Sequence, residues 1–279
     1  PAGGLGALVV DNGGTSATAA EELIRAADLA SRVVERPVGP GQYRYVRTRY
    51  DGITVEYGAK KAWRTDMANE EWIPANRQDE WELKFTINSV AWLEDHEGDG
   101  QPDPGPFKNG QEFRGKCGKY SYYAEGQPDR CTAGSFNNPT PEFIAALPTD
   151  PAQLLAKLKE EGHTDDTGGA LMQAREALAS GQFPASVRAN LFRALALLPG
   201  LVVTDSLANL DGKKGVALGI KYFDDFEEII IDPSNGDFIG GREVVAADQP
   251  ADKGGLEKGT VRQSYAVTSA VVDALGARP

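Results

Sequence analysis

The order in which periodicities follow one another constrains this chain's fold most. Between Leu191 and Gly240 a helical stripe stops at Pro199-Gly200, and strand follows strand, divided by short polar turns. "LVVTDSL" reads as a strand and "NLDGKKG" as a turn. "VALGIKYF" is a strand with Val216, Leu218, Ile220 and Tyr222 on one face. "FEEIIID", the turn "PSNG" and "DFIGGREVV" come next, and "TVRQSYAVTSAVVDAL" is expected to close the sheet.

Upstream the pattern differs. "TAAEELIRAADLASRVV" is a helix in which Thr18 and Glu21 fit a capping box, and Ala20, Leu23, Ile24, Ala27 and Val34 fall on one face. Pro37, Pro40 and Gly41 break it, and the β-formers of "QYRYVRTRY" follow. Residues 53–93 continue as strands. In "WELKFTI", Trp81, Leu83, Phe85 and Ile87 alternate with Glu82, Lys84 and Thr86, which predicts one buried and one wet face. Helices return at "LPTDPAQLLAKLKEEG", with Asp150 as N-cap and Pro151 at the first helical position. They continue through "GGALMQAREALASG" and a last helix striped by Val187, Leu191, Leu195 and Leu198. Strands segregated from helices predict an α+β fold: a curved, mostly antiparallel sheet with helices packed on one face. The 279 residues read as a single domain, with 94–140 as an irregular insertion and 1–14 as a flexible linker.

Residues 94–140 lose periodicity and contain the chain's two cysteines, Cys117 and Cys131, in polar, Gly-rich surroundings. That setting points to one disulfide rather than two buried thiols, and a disulfide points outside the cytoplasm. The chain starts at Pro1 and has no apolar run near the ~20 residues of a membrane span. A signal or anchor removed upstream is the expectation. The net charge of -12 argues against nucleic acid as a partner, since phosphates would be repelled.

The search for catalytic motifs is negative. HExxH, GxSxG, Walker A and a strand-to-helix GxGxxG are all missing, and the only histidines, His96 and His163, read as exposed loop residues. No catalytic residue is assigned. A carboxylate pair for glycan hydrolysis stays open, because acidic residues are plentiful. "DHEGDGQPD" has the oxygen-ligand rhythm of a calcium loop, with Asp95, Glu97 and Asp99 at alternate positions, Gly100 for the turn and then Asp103. Pro106 stands where a bidentate Glu would end an EF-hand, so a looser loop is the calcium reading and a solvated acidic turn the alternative. Trp63, Trp72, Trp81 and Trp92 are spaced about one strand and turn apart, as on equivalent positions of a meander. They suit either a packed core or an apolar surface that takes an acyl chain, a peptide or a partner segment.

Four stretches carry a resemblance: "AAEELIRAADLA" with "GPGQYRYVRTR", "WRTD", "LPTDPAQLLAKL", and "FRALALLPGLVV" running through "DGKKGVALGI" to "IIIDPSNGDFIG". Together they span most of the chain outside 94–140. The chain resembles a family of uncharacterised actinobacterial membrane-anchored proteins often encoded beside extracytoplasmic-function sigma factors. The resemblance implies an extracytoplasmic domain with no assigned activity, tethered through a segment outside this chain. The pattern is also similar to the half-barrels of periplasmic lipoprotein carriers and of regulators that bind anti-sigma factors. The first reading is therefore a non-enzymatic domain that binds a lipid, a peptide or a membrane regulatory protein. A secreted cell-wall or glycan hydrolase and a calcium-stiffened structural module are the alternatives.

Overall fold

The computed structural model describes residues 16–56, 58, 61–94, 96, 98, 100–123, 126–162 and 167–279, with the backbone alone over 205–208. Helix α1 (Ala17–Ala30) leads into a meander of β1 (Tyr43–Glu56), β2 (Lys61–Pro74), β3 (Glu80–Trp92) and β4 (Glu112–Lys116). Four helices follow: α2 (Pro141–Ala146), α3 (Pro151–Glu161), α4 (Thr167–Ala179) and α5 (Ala185–Leu195). A second meander then runs β5 (Val202–Ala208), β6 (Lys214–Tyr222), β7 (Asp225–Ile231), β8 (Phe238–Val245) and β9 (Val261–Val272).

All nine strands form one open antiparallel sheet in the order β4-β3-β2-β1-β9-β8-β7-β6-β5. The last strand does not close the sheet at an edge. It lies in the middle, paired with β8 on one side and β1 on the other, and so joins the two meanders. Strand β9 is half-buried or buried at most positions, and it has unpaired partners available in both meanders, so the centre is where it satisfies the most backbone.

The largest core is built by the helices and the second meander. Leu23, Ala27, Leu154, Leu158, Leu171, Leu191 and Leu195 share it with Leu218, Ile220, Ile229 and Ile231. Their strand neighbours Ala217, Ile230 and Ile239 form a separate cluster, as the alternation of a strand requires. In the first meander Val46, Ile73, Trp81, Leu83, Phe85 and Tyr120 make a second core.

Local chemistry explains most boundaries. Asp150 accepts from the Gln153 N–H at 2.9 Å and Pro151 opens α3, as predicted. In α1 the cap is Ser16, not the Thr18–Glu21 box. Ser16 Oγ accepts from the Ala19 N–H at 3.1 Å, and its own N–H donates to Leu201 O at 3.0 Å. That tie to the start of β5 sets the first helical residue, a tertiary contact invisible in the local sequence. The helix also ends before Val34, and Ile24 stays 43% exposed, so the buried stripe is Ala19, Leu23, Ala26, Ala27 and Ala30. In β3, Glu82 departs from the alternation: it is buried because Arg114 of β4 pairs with it at 2.6 Å. The 94–140 insertion is thus partly sheet. Just beyond β4 the Cys117–Cys131 disulfide, with Cα atoms 5.1 Å apart, ties the following loop back.

Candidate ligand-binding cleft

The tryptophans do not gather on one surface. Trp72 is 2% exposed against Tyr45, and its indole donates to Ala277 O at 2.8 Å. Trp81 is fully buried in the second core, under the Arg77 guanidinium. Only Trp63 and Trp92 are cross-strand partners, in edge-to-face contact at 5.6 Å, both half-buried. On β2, Trp63 and Trp72 are an odd number of residues apart, which sends them to opposite faces, while on β3 a register shift lies between Trp81 and Trp92.

Of the calcium loop, Asp95, Glu97 and Asp99 lie outside the described residues, as does His163. Asp103 is exposed and accepts from the Gly105 N–H at 2.9 Å. Among the described residues no group of three or more His, Cys, Asp or Glu is placed to hold a metal. His96 is half-buried, not a free loop residue: its Nε2 lies 2.8 Å from Gly254 O and its Nδ1 2.7 Å from Glu94 O.

A cleft of about 430 Å³ opens where the two meanders part. Strand β9 pairs with β1 as far as Val272, but with β8 only as far as Ala266, opposite Gly240. Gly240 is required there: its φ is 146°, and a Cβ would sit 2.2 Å from Tyr265 O. Beyond that point β8 turns away, and residues 267–271 line the gap between the half-sheets. Phe238 and Ile239 form the opposite wall, and Val33–Arg36 and the Asn209–Lys213 turn border it. Gly181, at φ 64°, brings the end of α4 onto the floor, where a Cβ would come within 2.9 Å of both Val46 and Ser269. This size suits a small ligand or a short peptide.

The cleft escapes the chain's acidic excess, since four basic side chains (Arg36, Arg44, Arg188, Lys213) face three acidic ones (Glu35, Asp211, Asp237). Most are committed. Glu35 accepts from Arg188 at 2.5 Å and from the Ala185 N–H at 3.0 Å, closing the start of α5. Lys213 pairs with Asp232 at 2.9 Å, and Asp211 with Arg47 at 2.8 Å. Burial pushes the Asp237 carboxyl up from its ordinary value, against the pull of Arg188 and Lys213. Arg44 is the exception: among the described residues its guanidinium has no hydrogen bond or ion pair. Burial lowers its pKa, Glu35 opposes that and Arg188 adds to it. A guanidinium stays charged throughout, so the site carries a donor fork with no hydrogen-bond partner among the described residues.

A second polar site lies at the ends of β7 and β8. Glu227 faces Glu243 across the strand pair, and Asp225 is beside them. Arg175 pairs with Glu227 at 3.0 Å, while Arg262 reaches Glu243 at 2.9 Å and Asp225 at 3.2 Å. Burial, then the charges of Glu227 and Asp225, push the Glu243 carboxyl up to about 8. Burial likewise raises Glu227, with Arg175 opposing. Asp225 and Glu243 line an adjoining hollow of about 410 Å³. Sequence reading missed both sites. An arginine in a strand looks like any wet-face residue, and the register opposing Glu227 to Glu243 appears only once β7 and β8 are paired.

The chain matches no known protein-family model, no curated protein and no solved structure.

Proposed function

We propose that the protein is a non-enzymatic extracytoplasmic binding domain, held at the membrane by a segment outside this chain, and that the cleft between the half-sheets is its binding site. The observation that carries this is the cleft itself: a gap in an otherwise continuous sheet, holding an arginine whose guanidinium has no hydrogen bond or ion pair among the described residues. A half-barrel form is supported by the turn after β5. In a flat sheet β1 and β6, four positions apart, would be separated by about 19 Å. Yet Asp211, in the β5–β6 turn, pairs with Arg47 and Arg49 of β1 at 2.8 and 3.4 Å. The disulfide supports an oxidising compartment. Kinship with the actinobacterial membrane-anchored family belongs to the same proposal, with a lipid, a peptide or a membrane regulatory protein as the occupant.

Native mass spectrometry tests this reading, using wild type and Thr268→Trp purified from a secreting host. Thr268 is exposed on the cleft wall, so the indole should fill the cleft with little cost to the fold. A noncovalent adduct present in wild type and lost in T268W is the expected result. An adduct retained in T268W would place binding elsewhere.

The carboxyl cluster favours one second reading, a glycan hydrolase. Glu227 and Glu243 are directly opposed on paired strands, and a proton-holding Glu243 would suit a general acid. Release of reducing ends from cell-wall glycan by wild type but not Glu243→Gln would establish it. No release by either would leave the binding reading alone.

A further inference from the structure

We infer that the cleft takes an extended peptide, added as a strand to the free edge of β9, with one of its carboxylates on Arg44. The inference rests on the cleft being the binding site, and it names the chemistry of the occupant.

Three observations carry it. First, residues 267–271 are bonded in register to β1 on one side only, Thr48 to Val267 through Arg44 to Val271. Their other edge has no strand partner among the described residues. In an antiparallel strand, backbone N–H and C=O groups point alternately to the two sides, so this edge offers a row of unused donors and acceptors. It spans about 16 Å, enough for a few residues of added strand. Because it is recessed in a cleft rather than lying at the sheet margin, it is shielded from the indiscriminate pairing that exposed edges invite.

Second, the two walls are not equivalent. On the β8 side, Asn209, itself 6% exposed, donates from Nδ2 to Ile239 O at 2.7 Å. That side chain occupies a backbone acceptor a strand would need, and the same asparagine accepts from the Asp211 and Lys213 N–H groups. Pairing is on offer from β9 alone.

Third, Arg44 stands opposite Val271, at one end of the free edge. Glu35 is already held by Arg188 and Ala185, so among the described residues Arg44 is the lining cation left for a ligand. A guanidinium binds carboxylates through paired N–H donors. Val33, Val34 and Phe238 supply apolar surface for alternate side chains of the added strand. A carboxylate can come from a chain terminus or from an acidic side chain.

The test uses a randomised heptapeptide library displayed with free C-termini and selected on the intact chain. Selected peptides are resynthesised in four forms: unchanged, C-terminally amidated, with acidic side chains replaced by amides, and N-methylated at alternate residues. Affinity is measured for wild type and Arg44→Gln, and hydrogen exchange is followed at residues 267–271. The prediction is that one carboxylate replacement and R44Q each weaken binding about tenfold or more, and not additively. Which replacement does so identifies the source. N-methylation on one set of alternate residues should abolish binding, and amides among 267–271 should be protected in the complex. Because the Arg44 side chain makes no hydrogen bond or ion pair among the described residues, R44Q should melt as wild type does. Peptides indifferent to R44Q, or bound without protection at 267–271, would overturn the inference. So would failure to select any peptide. If octanoate, run in parallel, shifts the cleft residues while no peptide does, strand addition fails and the cleft stands as the site. If neither occupies it, both fail.

Discussion

Glu243 shows how strongly one residue's setting can govern its charge. Burial and two neighbouring carboxylates hold its proton up to about 8, although Arg262 is in contact. Its ordinary value is 4.5, so between there and about 8 the folded state binds a proton the unfolded chain has released. Such a group stabilises the fold fully below its unfolded value, and the contribution is lost as pH rises through the folded one. Thermal melts across pH 5 to pH 9 should therefore show stability from this group falling with pH. Glu243→Gln should flatten that slope, and an unchanged slope would mean the carboxyl is ionised throughout. Trp81 tests a different residue-scale property. It is fully buried, and its indole N–H donates to Arg77 O at 3.1 Å. Trp81→Ala should cost about 3–5 kcal/mol in denaturant unfolding. A loss under 1 kcal/mol would mean the second core collapses around the gap.

At the scale of elements, the legible features are those set by local chemistry. Helix α3 begins where Asp150 and Pro151 say it should, because capping needs only residues three apart. Strands β6, β7 and β8 follow their turns, since hydrophobic alternation and turn residues both act within a few positions. Long-range contacts were not legible. Ser16 rather than Thr18 starts α1 because Leu201 anchors it, and Glu82 is buried because Arg114 arrives from β4. The place of β9 was also hidden, since nothing local tells a central strand from an edge. The insertion was legible in its cysteines and not in β4. Its disulfide closes a loop over a sequence separation of 14, worth about 3 kcal/mol in the chain-entropy model. The Cys117→Ser, Cys131→Ser double variant should lose about that much in urea unfolding. It should also exchange amide hydrogens faster between residues 117 and 131. Unchanged exchange there would mean that Tyr120, whose hydroxyl donates to Glu71 at 2.6 Å, holds the loop without the crosslink.

At the scale of the whole molecule, the design is two antiparallel meanders that share one strand and part beyond it. The helices share the largest hydrophobic core with the second meander, the disulfide-tied insertion extends the first, and the gap falls between them. Among the described residues, parting the half-sheets leaves a strand edge and an arginine side chain unpaired in a cleft of about 430 Å³, features a chain folded only for stability would be expected to close. A crystallographic fragment screen tests this most directly, because it samples the whole surface without a chosen ligand. The account predicts that bound fragments concentrate between residues 267–271 and the Phe238–Ile239 wall, with acidic fragments on Arg44. Fragments that leave this cleft empty and gather in the hollow beside Glu243 would contradict it.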